Sequence, residues 1–139
     1  MATRLTYTTG TRSAELDNAF EAALAAAREP EPEPLAHLVG GREVESGEAF
    51  AREDPSRCER IASRAHEGAD LVDEAVATAR GAQREWRRLP HADRVALLRA
   101  AERLIDERKL DLAAAISLEA GKVRTESIAE VEEAIDLIE

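Results

Sequence analysis

Apolar residues recur at three- and four-residue spacing along most of the chain, and that period predicts a largely helical protein. In residues 13–28, Leu16, Phe20 and Leu24 repeat every four positions behind a capping Ser13, so a first helix is expected there. Leu71, Ala75, Val76 and Ala79 predict a second helix from Ala69 to about Gly81. Residues 89–109 predict a third, with Leu97, Leu98, Ala101, Leu104 and Ile105 on one face. Residues 110–120 form a fourth, stopped by Gly121, a natural left-handed cap. From about Thr125 to Glu139 the stripe Ile128, Val131, Ile135 and Ile138 predicts a fifth. Between the first helix and the rest, short extended pieces read as strands. Residues 35–39 and 42–46 flank Gly40 and Gly41, a pair suited to a tight hairpin. Residues 49–54 and 60–65 follow, separated by the turn "DPSRCE". The expected fold class is therefore α+β, mostly helical, with a small antiparallel strand set near residues 36–65.

The "EPEPEP" run at residues 29–34 breaks the pattern, because alternate prolines remove donors and favour an extended chain. It divides the sequence into residues 1–34, a helical extension with a stiff Pro/Glu linker, and residues 35–139.

Composition narrows the function. The net charge is -10 over 139 residues, so nucleic acid is not an expected partner, since phosphate contacts need a basic surface. The first ten residues carry no apolar leader, and no apolar run approaches the ~20 residues of a membrane span. A cytoplasmic location with no membrane partner is the expectation. Alanine supplies much of the apolar content, and Tyr7, Phe20, Phe50 and Trp86 are the only aromatics. A core built this way is thin, because stabilisation scales with buried apolar area.

The isolated chemical candidates are weak. Gly40 and Gly41 lie between strand-like segments, whereas a phosphate cradle opens a helix. Cys58 has arginines beside it but no helix start and no adjacent base to lower its pKa, so it reads as a turn residue. His37, His66 and His91 lack metal-ligand spacing, and no metal site is expected. Trp86 reads as a packing anchor ahead of the third helix. The acids of the last helix, Glu130, Glu132 and Asp136 among them, read as a solvated face.

The order of segments carries more than any of them alone. "HLVGGREVESGEAFAREDPS", then the run from "GADLVDEAVATARGAQREWRRLP" to "SLEAGK", then "EVEEAIDLIE" resembles the N-terminal part of the aldehyde dehydrogenases over roughly residues 35–139. The family typically shows a hairpin, an Asn-Pro-Ala-Thr-Gly-Glu turn, a helix ending in Trp before Leu-Pro, an Arg- and Leu-bearing helix, and Glu-Thr-Gly-Lys before a further helix. Here Asp54 takes the Asn position of the turn and Ala120 stands where Thr is common. The helical extension and "AEVEEAIDLIE" bring the resemblance closest to the 1-pyrroline-5-carboxylate (L-glutamate γ-semialdehyde) dehydrogenases.

The resemblance implies a longer enzyme, a homo-oligomer, that oxidises its aldehyde with NAD in proline catabolism. A cysteine thiolate attacks the aldehyde, hydride passes to NAD, and a Glu-activated water releases the acid. It implies that the nucleophile, the general base and the cofactor glycines lie beyond Glu139, so no catalytic and no cofactor-binding residue is assigned within this chain. It assigns one substrate-binding residue, Glu133, a carboxylate for the ammonium of the amino-acid semialdehyde. The stop at Glu139, on the running helical pattern, is expected to be a truncation, with the last stripe exposed for a missing domain. The alternative is a non-enzymatic helical module that docks on a partner through that same stripe.

Overall fold

A computed structural model of the chain describes residues 13–29 and 31–139. The reading of the first ten residues, Tyr7, and Pro30 of the linker lie outside the described residues.

The chain forms α1 (Ala14–Ala27), β1 (Pro34–Leu35), β2 (His37–Val39), β3 (Arg42–Val44), β4 (Ala49–Asp54), β5 (Arg57–His66), a single 3-10 turn (Ala69–Leu71), α2 (Val72–Trp86), α3 (His91–Glu107), α4 (Lys109–Ala120) and α5 (Arg124–Ile138). The helix-dominated α+β reading stands. α1 begins where predicted: Ser13 Oγ accepts from the Leu16 N–H at 3.1 Å and satisfies one of the orphan donors of the first turn. α4 ends at Gly121, which has φ 67° and donates its N–H to Ser117 O at 3.0 Å.

The strands depart from expectation in two ways. β2 and β3 are the antiparallel hairpin predicted, and both turn glycines have positive φ, 60° and 76°, as a primed two-residue turn requires. β4 and β5 also pair antiparallel, but β5 is longer than predicted and begins at Arg57. The turn is confined to Pro55 and Ser56, so Cys58 sits in a strand and not in the turn. The reason is local. Asp54 Oδ1 accepts from the Ser56 N–H at 2.8 Å and from its hydroxyl at 2.5 Å, which closes the reversal within two residues. The second departure is β1, which joins the other edge of β5 in parallel, with Pro34 opposite Arg64 and Leu35 opposite Ala65. The sheet order is β1-β5-β4, and the strand set is mixed rather than purely antiparallel. Proline is tolerated because Pro34 opens an edge strand.

α2 also outruns its prediction. It passes through Gly81 to Trp86, since one glycine costs a helix only about 1 kcal/mol. Trp86 therefore closes α2, and at 41% exposure it is not a packing anchor among the described residues.

The core is Phe20 from α1, Ala113 from α4, and Ile128, Val131 and Ile135 from α5, with Leu16, Leu24, Ile105, Leu110, Leu112 and Ile116 packed around them. This corrects the expectation for the last helix. Its apolar stripe is turned inward: Ile128, Val131 and Ile135 are each less than 5% exposed. Ala113, with no exposed surface, lets α4 approach closely enough to cover it. Arg124 then locks the first turn of α5 onto α1. Its guanidinium pairs with Asp17 at 2.6 Å and with Glu21, and lies 5.2 Å over the Phe20 ring. The docking-module alternative loses its surface, because the stripe it needed is covered. Exposed apolar residues remain outside the stripe, among them Val72 and Val76 of α2, Val95, Leu97, Leu98 and Leu104 of α3, and Leu137 of α5. The predicted α3 face is thus only partly used; Ile105 meets the core while Leu97, Leu98 and Leu104 do not. Among the described residues no helix is long and apolar enough to cross a membrane.

Burial separates two substitutions that look alike in sequence. Ile135→Ala is expected to destabilise the chain by about 2–5 kcal/mol, through lost burial and an unfilled cavity. Leu97→Ala should change stability by no more than about 0.5 kcal/mol. Urea denaturation of the two variants checks the ranking, and equal losses would mean that the stripe is not packed as described.

Candidate functional site

The inward stripe fixes the rotation of α5, and with it the side chains that face outward. Successive helical residues turn by about 100°, so neighbours in sequence face different ways. Glu132 follows Val131 into the interior and is 6% exposed. A carboxylate there needs a partner, and Lys109 at the start of α4 supplies it at 2.8 Å. Lys109 also meets Asp106 at 2.8 Å. Burial lowers the Lys109 pKa, but hydrogen bonds and charge from Asp106 and Glu132 outweigh it and leave the ammonium above its ordinary range. The expectation that Glu132 belongs to a solvated face is therefore wrong: it is an internal strut between α5 and the α3–α4 junction.

Glu133, the one substrate-binding residue expected from the sequence, takes the next position around the helix and is exposed. With Glu130, Ala134 and Leu137 it forms one wall of an open groove of about 630 Å³. Ile105 of α3 and Leu112, Ala115 and Ile116 of α4 make an apolar floor, and Glu119 stands on the rim. Glu130 is tied to Lys122. Glu119 and Glu133 have no ion-pair or hydrogen-bond partner among the described residues. The groove thus combines an alkyl-binding floor with uncommitted negative charge at its edge. Such a surface accepts a short aliphatic ligand carrying a cation.

The other candidates are not brought to this groove. Cys58 is exposed on β5 and is not among its lining residues. His66 Nδ1 lies 3.4 Å from Gly47 O, and His91 is the first residue of α3. Among the described residues no group of three His, Cys, Asp or Glu is placed to hold a metal. Gly40 and Gly41 form a hairpin turn. The one strand-to-helix junction among the described residues, Glu67 and Gly68 after β5, has its glycine covered by the His37 ring: an added Cβ would stand 2.5 Å from His37 Cε1. These residues do not form a cradle for a pyrophosphate.

Sequence reasoning missed a second polar site, at the β4–β5 turn. Asp54 is 1% exposed. Burial pushes its carboxyl pKa up. The Ser56 hydroxyl and N–H, the Arg28 charge and the Arg57 N–H outweigh burial and hold it below the ordinary carboxylate range. The turn is also pinned from outside, because a Cβ on Gly121 would stand 2.9 Å from Pro55 Cγ. The end of α4 and the hairpin therefore meet at van der Waals distance. The Asp-Pro-Ser signature was visible in sequence; its burial was not.

The sequence model described as the aldehyde dehydrogenase family matches residues 42–139. The alpha-ketoglutarate semialdehyde dehydrogenase of Haloferax volcanii is 34% identical over 108 residues, which is 76% of this chain and 22% of that relative. The N-succinylglutamate 5-semialdehyde dehydrogenase of Klebsiella pneumoniae is 38% identical over 85 residues, 61% of this chain and 17% of its own. In structure, the 1-pyrroline-5-carboxylate dehydrogenase from Thermus, solved with bound NAD, superposes with a TM-score of 0.87 at 29% identity, over 99% of this chain and 27% of that one. The delta-pyrroline-5-carboxylate dehydrogenase of Mycobacterium tuberculosis gives 0.77 at 29% identity, over 93% and 24%. The chain spans about a quarter of the length of these proteins.

Asp54 carries a testable pH dependence. Its folded pKa is lower than its unfolded value of about 3.9, so its contribution is complete above that value and is lost as pH falls through the folded one. The stability gap between the native chain and Asp54→Asn, measured by urea unfolding, is expected to hold above about pH 5 and to narrow as pH falls below it. A gap that widens on acidification would reverse the sign of the argument.

Proposed function

The chain belongs to the aldehyde dehydrogenase family, and from that premise we propose that it forms the N-terminal quarter of an NAD-dependent enzyme oxidising L-glutamate γ-semialdehyde to glutamate in proline catabolism. The observation that carries this reading is the reach of the structural likeness. The family model begins at residue 42, whereas the match to the Thermus enzyme takes in 99% of the chain, α1 and β1 included. The curated relatives are named for other semialdehydes, so the sequence comparison supports the reaction class and the structural comparison supports the substrate.

In this reading the chain binds and orients substrate. The floor of Ile105, Leu112 and Ile116 takes the methylene chain of the semialdehyde, and Glu133 accepts hydrogen bonds from its α-ammonium. NAD, when bound, supplies the hydride acceptor. The nucleophile, the general base and the cofactor's cradle fall to parts of the enzyme outside these residues, in keeping with the uncradled glycines and the remote Cys58. The uncovered apolar residues of α2 and α3 suit a chain that packs against more protein.

Two outcomes follow. In a complete enzyme carrying this segment, Glu133→Gln is expected to raise KM for the amino-acid semialdehyde about tenfold or more, the worth of one charge-assisted hydrogen bond. KM for propionaldehyde should stay unchanged. Equal effects on both substrates, or none, would remove Glu133 from the site. The 139-residue chain alone is expected to form no NADH from aldehyde and NAD, and Cys58→Ala to make no difference. Turnover that disappears in Cys58→Ala would place the chemistry on this strand after all.

A further inference from the structure

Three carboxylates line the groove, Glu119, Glu130 and Glu133, and among the described residues only Glu130 is committed to a partner. Glu130 stands three residues before Glu133 on α5, so the two are neighbours on one helix face, about 5–6 Å apart at Cβ. The partner is Lys122, which lies in the connection between α4 and α5 and is not itself a lining residue. Its backbone is held from both helices. The Lys122 carbonyl accepts from the Ser117 hydroxyl of α4 at 2.5 Å and from the Ser127 hydroxyl of α5 at 3.5 Å, and Ser127 has no exposed surface. The Lys122 ammonium is thus presented to Glu130 by a fixed piece of backbone.

We propose that Lys122 determines specificity through Glu130: by committing that carboxylate it tunes the groove to a zwitterionic amino-acid aldehyde over an amino aldehyde without a carboxylate. This rests on the reading of the groove as the site of the substrate's ammonium. Charge decides between the two ligands. Both bring an ammonium to Glu133, and only the zwitterion brings a carboxylate beside it. A further free acid next to Glu133 attracts either ammonium, but it also repels the carboxylate of the zwitterion. For the zwitterion the two effects oppose each other; for the bare cation attraction stands alone. Lys122 removes that bias by pairing Glu130. One unit charge about 6 Å away in a water-like medium changes binding about threefold. Lys122 is therefore a positioning residue, acting on the ligand through Glu130.

The test is steady-state kinetics on a complete enzyme carrying this segment, with L-glutamate γ-semialdehyde and with 4-aminobutanal, which has the ammonium but no carboxylate. Lys122→Met is expected to raise the ratio of kcat/KM for 4-aminobutanal to that for the semialdehyde about threefold. Lys122→Gln loses the charge but can still donate to Glu130; it should raise the ratio likewise, and decides the matter if Lys122→Met unfolds. Lys122→Arg keeps the charge and should hold the native ratio. Adding Glu130→Gln to Lys122→Met should bring the ratio back to its native value, because the freed acid is then gone. A raised ratio that Glu130→Gln does not reverse would make Lys122 a brace for the connection and overturn the proposal. An unchanged ratio in both Lys122 variants, with Glu133→Gln still raising KM for the semialdehyde, would overturn the role of Lys122 alone. A native KM in Glu133→Gln would remove the groove as the ammonium site, and this inference with it.

Discussion

Everything else in this chain is arranged around the distance at which α4 can meet α5. Ala113 has no exposed surface, and its small side chain lets the two helices close over Ile128, Val131 and Ile135. Phe20 fills the remaining side from α1. A larger residue at Ala113 would push the helices apart and expose three branched side chains together, since well-packed interiors have little room to yield. The scarcity of aromatics fits this core: one Phe, one alanine and three branched side chains make a cluster that three helices share. Arg124 adds a polar lock at the rim, where Asp17 and Glu21 from α1 hold its guanidinium over the Phe20 ring.

That packing decides which acids of α5 are structural and which are free to act. Consecutive glutamates, Glu132 and Glu133, differ by one step around the helix and by their whole environment. The first is drawn inward to Lys109; the second is left at the groove. A chain so acidic offers many carboxylates, and charge alone cannot pick one out. Rotation does, and rotation is set by the apolar stripe. The same logic makes Lys109 and Lys122, the only lysines, informative: each neutralises an acid of α5, Glu132 or Glu130, and so thins the field of candidates beside Glu133.

Helix positions were legible in the sequence because their signals are local. Ser13, Gly121 and the four-residue apolar spacing act within a turn or two, and the observed ends fall within a residue or two of those signals for α1, α4 and α5. The direction in which α5's stripe points is not local. It depends on Ala113, Phe20 and Ile105, which stand far away in sequence, so an inward stripe and an outward one read alike. The same holds for β1, whose parallel partner lies thirty residues on, at Arg64. Gly81 misled for the opposite reason: a lone glycine weakens a helix without ending it, and flanking residues carried α2 through. At the groove, resemblance singled out Glu133, which lies exposed among the lining residues. The burial of Asp54 was invisible, because burial of a polar turn is a tertiary fact.

The sheet order leaves β4 at an outer edge, and its solvent side has consequences for the chain in concentrated solution. Among the described residues, Ala49, Phe50 and Ala51 pair on one side only, with β5, and the other side is an edge that a further strand can join. The ladder shifts register between Arg52 and Glu53 and again between Glu53 and Asp54, so the edge kinks immediately afterwards. An incoming strand would find three residues in register, then a bend and two opposite charges. Three residues are too few to hold a cross-molecular sheet together. The irregularity beside the Asp54 turn therefore also limits the straight length of this edge to three residues.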